Sequence, residues 1–221
     1  MLELRPWIAA GLSALLAFAA GPAGPDLPLL VSADFASGRA DGWRPNDPAH
    51  WRVGEEGGLH FYELSAAGVP GRVRAPTSWS VLAGYDVAEF VFSGRLRCYT
   101  DPANTKRDID IIFHFQDAGH FAYVHFAASS DDVHNIIGLV DGADRIKINL
   151  EPAGKSIARL TDRNWHAFKV TCDAAGRIEA FLDDMTAPIL SAQADRLRHG
   201  RIGVGSFDDT GAFDQIRLWG K

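Results

Sequence analysis

The sequence is poor in cysteine, since only Cys98 and Cys172 occur among its 221 residues. Two cysteines allow at most one disulfide, and that pairing requires their strands to be neighbours. Both alternate with apolar residues, so both are expected to point into a core, where free thiols are also common. The sequence therefore leaves one disulfide and two buried thiols equally open, and it indicates no cysteine nucleophile.

An excess of positive charge is also lacking. Lysine and arginine total 22 against 28 for aspartate and glutamate, which gives a net charge of −6 and a pI near 5.7. The basic surface of a nucleic-acid-binding domain is absent, so nucleic acid is excluded as a partner. A local cluster of basic residues on an acidic protein instead fits a small anionic group or an uncharged polar ligand.

Long hydrophobic runs are missing apart from one near the start, at residues 8–20 (IAAGLSALLAFAA). This run is too short to span a bilayer and ends in small residues, which favours a signal peptide over residues 1–24. An uncleaved anchor is the alternative. We therefore expect a periplasmic or secreted protein that has no membrane contact after cleavage and forms one domain over residues 25–221.

Helical periodicity is nearly absent, and only residues 192–198 suggest one or two helical turns. About a dozen short segments instead have the pattern of β-strands, among them residues 72–75 and 79–82, and 22 glycines and 11 prolines supply the turns between them. Many short strands with regular turn signals predict an all-β sandwich or barrel. The length suits a single large domain.

The clearest alternation runs through residues 106–150, with the period of two expected of half-buried strands. In the first strand the polar face is expected to hold Asp108, Asp110, His114 and Gln116, opposite Ile109, Ile111, Phe113 and Phe115. An even-length turn at residues 117–119 sets His114 beside Tyr123. An odd-length turn buries Tyr123 and His125 among phenylalanines, which is costly for unsatisfied polar groups. We therefore predict the even register.

The next hairpin turns at Asp141-Gly142, a strong short-range hairpin signal that places Leu139 over Ile146. A further strand at residues 89–99 alternates in the same way. If these strands share one sheet, its polar face collects the candidate site residues Arg95, Arg97, Tyr99, Asp110, His114, Gln116, Tyr123, His125, His134, Arg145 and Lys147.

Three segments resemble a known family. They are residues 34–61 (DFASGRADGWRPNDPAHWRVGEEGGLHF), 164–184 (NWHAFKVTCDAAGRIEAFLDD) and 199–220 (HGRIGVGSFDDTGAFDQIRLWG). Together they resemble the concanavalin A-like lectin/glucanase jelly roll, and they come closest to its 3-keto-disaccharide hydrolase (glucanase-like) branch. The resemblance implies two curved antiparallel sheets packed face to face, with a glycan site on the concave sheet.

Enzymes of this superfamily that act like laminarinases carry a Glu-x-Asp-x-x-Glu strand, in which two carboxylates serve as nucleophile and acid. The matching strand here has Asp108 and Asp110 but places Phe113 where the second glutamate belongs. Ordinary retaining hydrolysis by this route is therefore disfavoured.

Jelly rolls of the alginate-lyase type suggest another chemistry, in which Arg and Gln hold a uronate carboxylate while His and Tyr move protons. The residue types match, although the ordered motifs of that family do not. In this hypothesis His125 or His114 is the base, Tyr123 is the acid, and the other candidates bind substrate. Arg95, Arg97 and Arg145 are the expected anchors for an anionic or oxidised sugar.

Metal sites are a further alternative. Three histidines on one face (His114, His125 and His134) suit catalytic zinc in number, but they lack the usual ligand spacing, so no catalytic metal is assigned. A structural calcium bound by Asp34 and Asp214 is considered as well, although packing and turn roles suit these residues better.

These observations predict an exported, monomeric jelly-roll protein that engages an oligo- or polysaccharide and processes it by elimination or hydrolysis. A non-catalytic carbohydrate-binding module is the alternative, because polar side chains and aromatic platforms bind sugars without any reaction. The third interpretation is that the polar face is merely solvated and has no function. Catalysis is favoured because titratable groups cluster where a binding module needs only aromatics and amides.

Overall fold

The computed structural model describes residues 27–150 and 159–221, and in these ranges the chain is almost entirely β-structure. One 3-10 turn at Pro48–His50 is the helical element of the described residues. None of their helices is long and apolar enough to cross a membrane. The predicted signal peptide and the first two residues of the predicted domain lie outside the described residues.

Two antiparallel sheets form a sandwich, which confirms the predicted fold class. The first, called the β6 sheet after its strand at Phe90–Cys98, has eight strands, and β1 (Leu29–Ala33) pairs with the strand at Gly211–Gly220 beside the main path. Along that path the order is β13 (Leu190–Gln193), β12 (Arg177–Leu182), β11 (His166–Cys172), β6 (Phe90–Cys98), β15 (Gly211–Gly220), β4 (Leu59–Leu64) and β3 (Trp51–Glu56).

The second sheet, called the β7 sheet, has seven strands. Its order is β10 (Ile146–Lys147), β9 (Ile136–Asp141), β8 (His120–Ala127), β7 (Asp108–Asp117), β14 (Arg201–Ser206), β5 (Ser78–Leu82) and β2 (Trp43–Pro45).

The main core lies between the sheets, where alternate residues of each strand meet. Phe92 of β6, Ile111 of β7 and Phe213 of β15 are fully buried there. A second apolar cluster lies on the outer face of the β7 sheet and consists of Val81, Ile112, Phe115, Phe121, Tyr123, Val140 and Phe207. The outer face of this sheet is therefore partly covered rather than open to water.

The predicted parity of β7 and β8 is correct, but the predicted pairs are displaced by two residues. Tyr123 lies opposite Ile112 and His125 lies opposite Asp110, because the register shifts between Phe113 and Asp117. His114 takes a positive φ of 49° in this bulge. A bulge reverses the faces of the residues that follow, so His114 turns toward the core side and Phe115 turns outward, opposite to the prediction.

The β9–β10 hairpin has the predicted register, with Leu139 opposite Ile146. The strand at residues 89–99 does not share this sheet, because β6 pairs with β11 and β15 in the other layer. The assumption of one common polar face was therefore wrong.

Three smaller predictions were settled by the fold. No helix forms at residues 192–198, where β13 ends at Gln193, and residues 72–75 are irregular rather than a strand. Both cysteines are free and buried. Cys172 lies opposite Phe90, at the end of β6 remote from Cys98, so the disulfide alternative is wrong although the two strands are neighbours.

Candidate functional site

A cluster of polar residues lies on the outer face of the β7 sheet where β7 and β8 run side by side. Asp108 and Asp110 are two residues apart on β7, and so they share a face. His125 is the cross-strand partner of Asp110, and its Nδ1 lies 2.7 Å from Asp110 Oδ1 in a shared hydrogen bond. We call this cluster the Asp110–His125 site.

The groups of this site are buried, although they lie on an outer face. Asp110 is 0% exposed, while Asp108 and His125 are each 2% exposed. Burial disfavours charge, so it raises the pKa of Asp108 to about 7 and raises that of Asp110 well above its usual range. Burial likewise lowers the pKa of His125 to about 4. Charge is therefore costly at this site.

Hydrogen bonds fix the Asp108 carboxylate to the last residue of β14 and to the residue that follows it. Its Oδ1 accepts from Ser206 Oγ at 2.8 Å and from the Phe207 amide at 2.9 Å. Asp209 accepts from the Asp108 amide at 2.6 Å and from the Thr100 hydroxyl. Since both Asp209 oxygens are occupied in this way, its role is to hold the start of β7 against the end of β14.

The cover over the site comes from two arginines and one phenylalanine. The guanidinium groups of Arg74 and Arg145 lie 5.1 and 4.3 Å from the centroid of the Phe207 ring. A backbone hydrogen bond joins the segments that carry these two arginines: the Arg145 amide donates to the Arg74 carbonyl at 3.0 Å. The irregular stretch at residues 72–75, mispredicted as a strand, thus forms a lid over the outer face.

Beneath this cover lies a polar cavity of about 60 Å³. Its wall consists of Arg74, Lys106, Asp108, His125, His134, Arg145, Phe207 and Asp208. This volume lies below the roughly 300 to 1,000 Å³ of pockets that enclose whole ligands. It suits an ion, a few waters or one substituent of a larger ligand.

His134 lies at the rim of the cavity and is oriented by a carboxylate. Its Nδ1 lies 2.9 Å from both carboxylate oxygens of Asp131, and its ring centroid is 5.6 Å from that of His125. Lys147 lies beside the loop between β8 and β9 that contains Asp131, with Nζ 4.0 Å from an oxygen of Asp132. The structure thus brings together five of the predicted residues, namely Asp110, Tyr123, His125, His134 and Arg145, while Lys147 lies outside the lining of the cavity.

Arg95, Arg97 and Tyr99 lie elsewhere, on the outer face of the β6 sheet. The guanidinium groups of Arg95 and Arg97 are each 4.7 Å from the Trp165 ring centroid. Arg95 also pairs with Asp214 at 2.5 Å. The sequence placed these three residues on one face of their strand and in the common site, but they belong to a separate surface, which we call the Trp165 platform.

His114 and Gln116 join neither group. The bulge turns His114 into a cavity of about 320 Å³ between the sheets, where burial lowers its pKa to about 4. Gln116 lies beside an open groove with His199 and Arg201. The predicted role of His114 as a base and that of Gln116 in the same site are therefore wrong, and so is a zinc site built on three histidines.

Several residues of the site were missed by sequence reasoning. Asp108 was weighed only against the laminarinase pattern, and Arg74, Lys106, Phe207 and Asp208 were not considered at all. The Asp208-Asp209 pair directly after the strand predicted at residues 200–207 was a usable signal, since loops that follow strands often carry binding residues. Arg74 gave no comparable signal.

The calcium prediction remains a prediction. Asp214 is paired with Arg95, and one oxygen of Asp34 accepts from the Ala36 amide at 3.1 Å, which is the turn role considered from the sequence.

Comparison with known proteins finds no matching family model and no matching curated protein. Solved structures do match. Cellulose induced protein Cip1 superposes with a TM-score of 0.60 at 14% identity, over 86% of this chain and 96% of that one. The carbohydrate binding module CBM66 from Bacillus subtilis gives 0.55 at 14% identity, over 80% and 95%.

The carbohydrate recognition domain of Emp46p gives a TM-score of 0.52 at 12% identity, over 80% of this chain and 88% of that one. Identities this low show a common fold and nothing more specific. The chain therefore has the jelly-roll sandwich fold that its resemblance to the concanavalin A-like lectins and glucanases implied.

Proposed function

We propose that the protein engages an anionic or oxidised saccharide at the Asp110–His125 site and processes it by elimination or hydrolysis. One observation carries the proposal, namely the two buried carboxylates and the buried imidazole at the floor of a polar cavity. Burying such groups costs stability, and apolar residues of similar size hold a sheet together at lower cost. Buried titratable groups with shifted pKa values cluster at functional sites.

The fold of the chain supports a saccharide as the ligand class, because the structures it resembles include a carbohydrate binding module and a carbohydrate recognition domain. Fold alone does not fix function, so the chemistry has to come from the site. We also propose export, on the basis of the apolar run at residues 8–20.

The charges around the cavity favour an anionic or carbonyl-bearing group. Arg74, Arg145 and Lys106 line it, and their donors suit a carboxylate or a polarised carbonyl oxygen. The cavity is too small for a sugar ring, so one substituent enters while the ring remains outside. This arrangement selects for the substituent rather than for the whole sugar.

We assign proton transfer to His134 rather than to His114 or His125. His134 is at the rim, where a sugar proton can approach, and Asp131 orients its ring as a carboxylate orients the base in catalytic triads. His125 and Tyr123 lie deeper, and burial raises the pKa of Tyr123, so its hydroxyl stays protonated. The floor residues therefore shape the site, and the rim residue moves the proton.

The Trp165 platform supports a second candidate, passive saccharide binding on the opposite sheet. Trp165 is half-buried and Phe61 lies beside it, with ring centroids 5.8 Å apart. Phe61 is buried, so Trp165 is the partly exposed ring of this surface. Tryptophan is enriched at interfaces because it combines an apolar ring with a polar N–H group. In this case the protein is a binding module and the buried site is structural.

Turnover of polyuronates and of 3-keto-glycosides by the purified protein tests the proposal. Wild-type protein is expected to release an unsaturated or hydrolysed product, and both His134→Ala and Arg145→Ala are expected to lower kcat/KM at least tenfold. The matched control is Arg201→Ala, because Arg201 also stacks on a phenylalanine, at 5.0 Å from Phe115, but lies outside the cavity. Saccharide binding without turnover that is unchanged by the first two substitutions contradicts the proposal and favours the module.

A further inference from the structure

We propose that Asp108, Asp110 and His125 bind one divalent cation of the Zn²⁺ or Mn²⁺ type. One ligand atom from each of these residues lies within 4.8 Å of the others, and all three residues are buried. Two carboxylates and an imidazole form a mixed oxygen and nitrogen donor set, which suits these ions better than Ca²⁺, since Ca²⁺ prefers oxygen alone.

An unpartnered oxygen points to a missing ligand. Asp110 Oδ2 is buried and makes no hydrogen bond to any described residue. Buried polar atoms nearly always have a partner, so such an atom inside the cluster requires an explanation. A cation bound by Asp110 satisfies its free oxygen directly.

The charge balance of the buried residues points the same way. Asp108, Asp110 and Asp209 are buried carboxylates, and Arg107 is the fully buried guanidinium near them. Arg107 donates to the Cys98 carbonyl at 2.6 Å, and its Nε and Nη1 have no partner among the described residues. Among these buried groups, three acidic side chains thus lie near one guanidinium, and a divalent ion offsets this excess of acidic groups.

Arg145 acts on Asp110 through its charge, but in the described part of the chain the arginines of the cover make no direct ion pair with the cluster. Arg74 and Arg145 stack on Phe207, and within the described residues neither comes within 4.0 Å of a carboxylate of Asp108 or Asp110. Together with Lys106, these arginines repel a cation that binds alone. They attract the anionic ligand of a cation that binds with one. The site is thus suited to an ion and an anionic or carbonyl oxygen bound together.

Supporting contacts hold the proposed ligands in place. Ser206 and the Phe207 amide occupy Oδ1 of Asp108, which leaves Oδ2 without a hydrogen bond to the described residues and available to an ion. Such outer contacts orient the ligands at metal sites. The adjoining cavity of about 60 Å³ has room for water or a substrate oxygen at open coordination positions.

This inference deepens the proposed function. A bound divalent ion polarises a carbonyl or carboxylate oxygen of a sugar, and this role of the ion rests on the proposed function. The binding of the ion does not rest on it. The two proposals can therefore fail separately.

Calorimetric titration of the chelator-stripped full chain with ZnCl₂, MnCl₂ and CaCl₂ tests the site. One Zn²⁺ or Mn²⁺ ion is expected to bind per chain, more tightly than Ca²⁺, and Asp110→Asn is expected to weaken binding at least tenfold. Asp117→Asn is the matched control, because Asp117 lies on the same strand but is exposed and pairs with His120. Equal binding by folded Asp110→Asn and wild type overturns the proposal.

A second measurement needs no variant. Co²⁺ added to stripped wild-type protein is expected to give visible absorption bands of an ion bound by nitrogen and oxygen, and Zn²⁺ is expected to abolish them. The absence of these bands together with no heat of binding contradicts the cation site. Turnover that persists in chelator keeps the saccharide function and rejects a part for the ion in it, while the titration still decides whether the ion binds. Ion binding without turnover or saccharide binding keeps the cation site and rejects the saccharide function.

Discussion

His166 shows how a single buried side chain can be stabilised by charge. Its Nδ1 lies 2.8 Å from Asp183 Oδ2 and its Nε2 lies 3.1 Å from Asp162 Oδ1. The hydrogen bond to Asp183 is the main cause that raises the pKa of His166, and burial opposes it. The imidazole is therefore more easily protonated in the folded protein than in the unfolded chain.

This shift predicts a pH-dependent contribution to stability. Because the folded pKa is raised, the contribution is fully present below the unfolded histidine pKa of about 6.5 and is lost as the pH rises through the folded value. We expect His166→Gln to lower the free energy of unfolding by about 1 kcal/mol near pH 5.5 and by much less near pH 8.5. Urea unfolding of the wild type and the variant at both pH values measures this loss in the free energy of unfolding. A loss that grows as the pH rises contradicts the prediction.

His114 marks the limit of sequence reasoning at the residue scale. Strict alternation places His114 on the same face of the strand as Asp110, and Phe115 on the same face as Phe113. The bulge at the positive φ of His114 reverses both residues. Such a φ is uncommon for any residue other than glycine, although histidine is among the residues enriched in it. Alternation therefore predicted the faces of Asp108 and Asp110 before the bulge, and failed after it.

At the scale of elements, alternation shows which face of a strand is polar but not which sheet contains the strand. Arg95 and Arg97 alternate as cleanly as Asp108 and Asp110 do, yet β6 and β7 belong to different layers. The crossover at residues 99–107 separates them, and no local pattern reports it. Hairpin neighbours such as β9 and β10 were predictable because a short turn fixes their pairing.

The pairing of β8 with β9 also depends on a glycine. Gly138 lies opposite Tyr123, and a Cβ added there meets the tyrosine ring and its hydroxyl. We expect Gly138→Ala to lower the free energy of unfolding by about 1 to 3 kcal/mol, since overpacking forces the ring to move.

Denaturant unfolding measures this effect, and Gly71→Ala is the matched control. An added Cβ at Gly71 meets only one atom, at 3.9 Å, so that substitution is expected to be nearly neutral. Equal effects of the two substitutions contradict a role of Gly138 in seating Tyr123.

At the scale of the whole molecule, the fold class followed from turn spacing, alternation and the resemblance of three segments, because these features extend along the chain. The site did not follow in the same way. It depends on how residues 72–75, β7, β8 and the segment after β14 come together, and these parts are distant in sequence.

The edges of both sheets favour a monomer. The outermost strands β10, β2 and β13 have only two to four residues, and β3 ends in Glu55 and Glu56. Short or charged edges resist pairing with another chain. We expect light scattering after size exclusion to give a mass no larger than the 24.0 kDa of one chain, and a mass near twice that value contradicts this prediction.

The central claim is that the saccharide meets the outer face of the β7 sheet at the Asp110–His125 site. Backbone amide NMR spectra during titration with an oligouronate test it most directly. The account predicts shifts concentrated at Asp110, His125, His134, Arg145 and Phe207. Shifts concentrated instead around Trp165, on the β6 sheet, would contradict it.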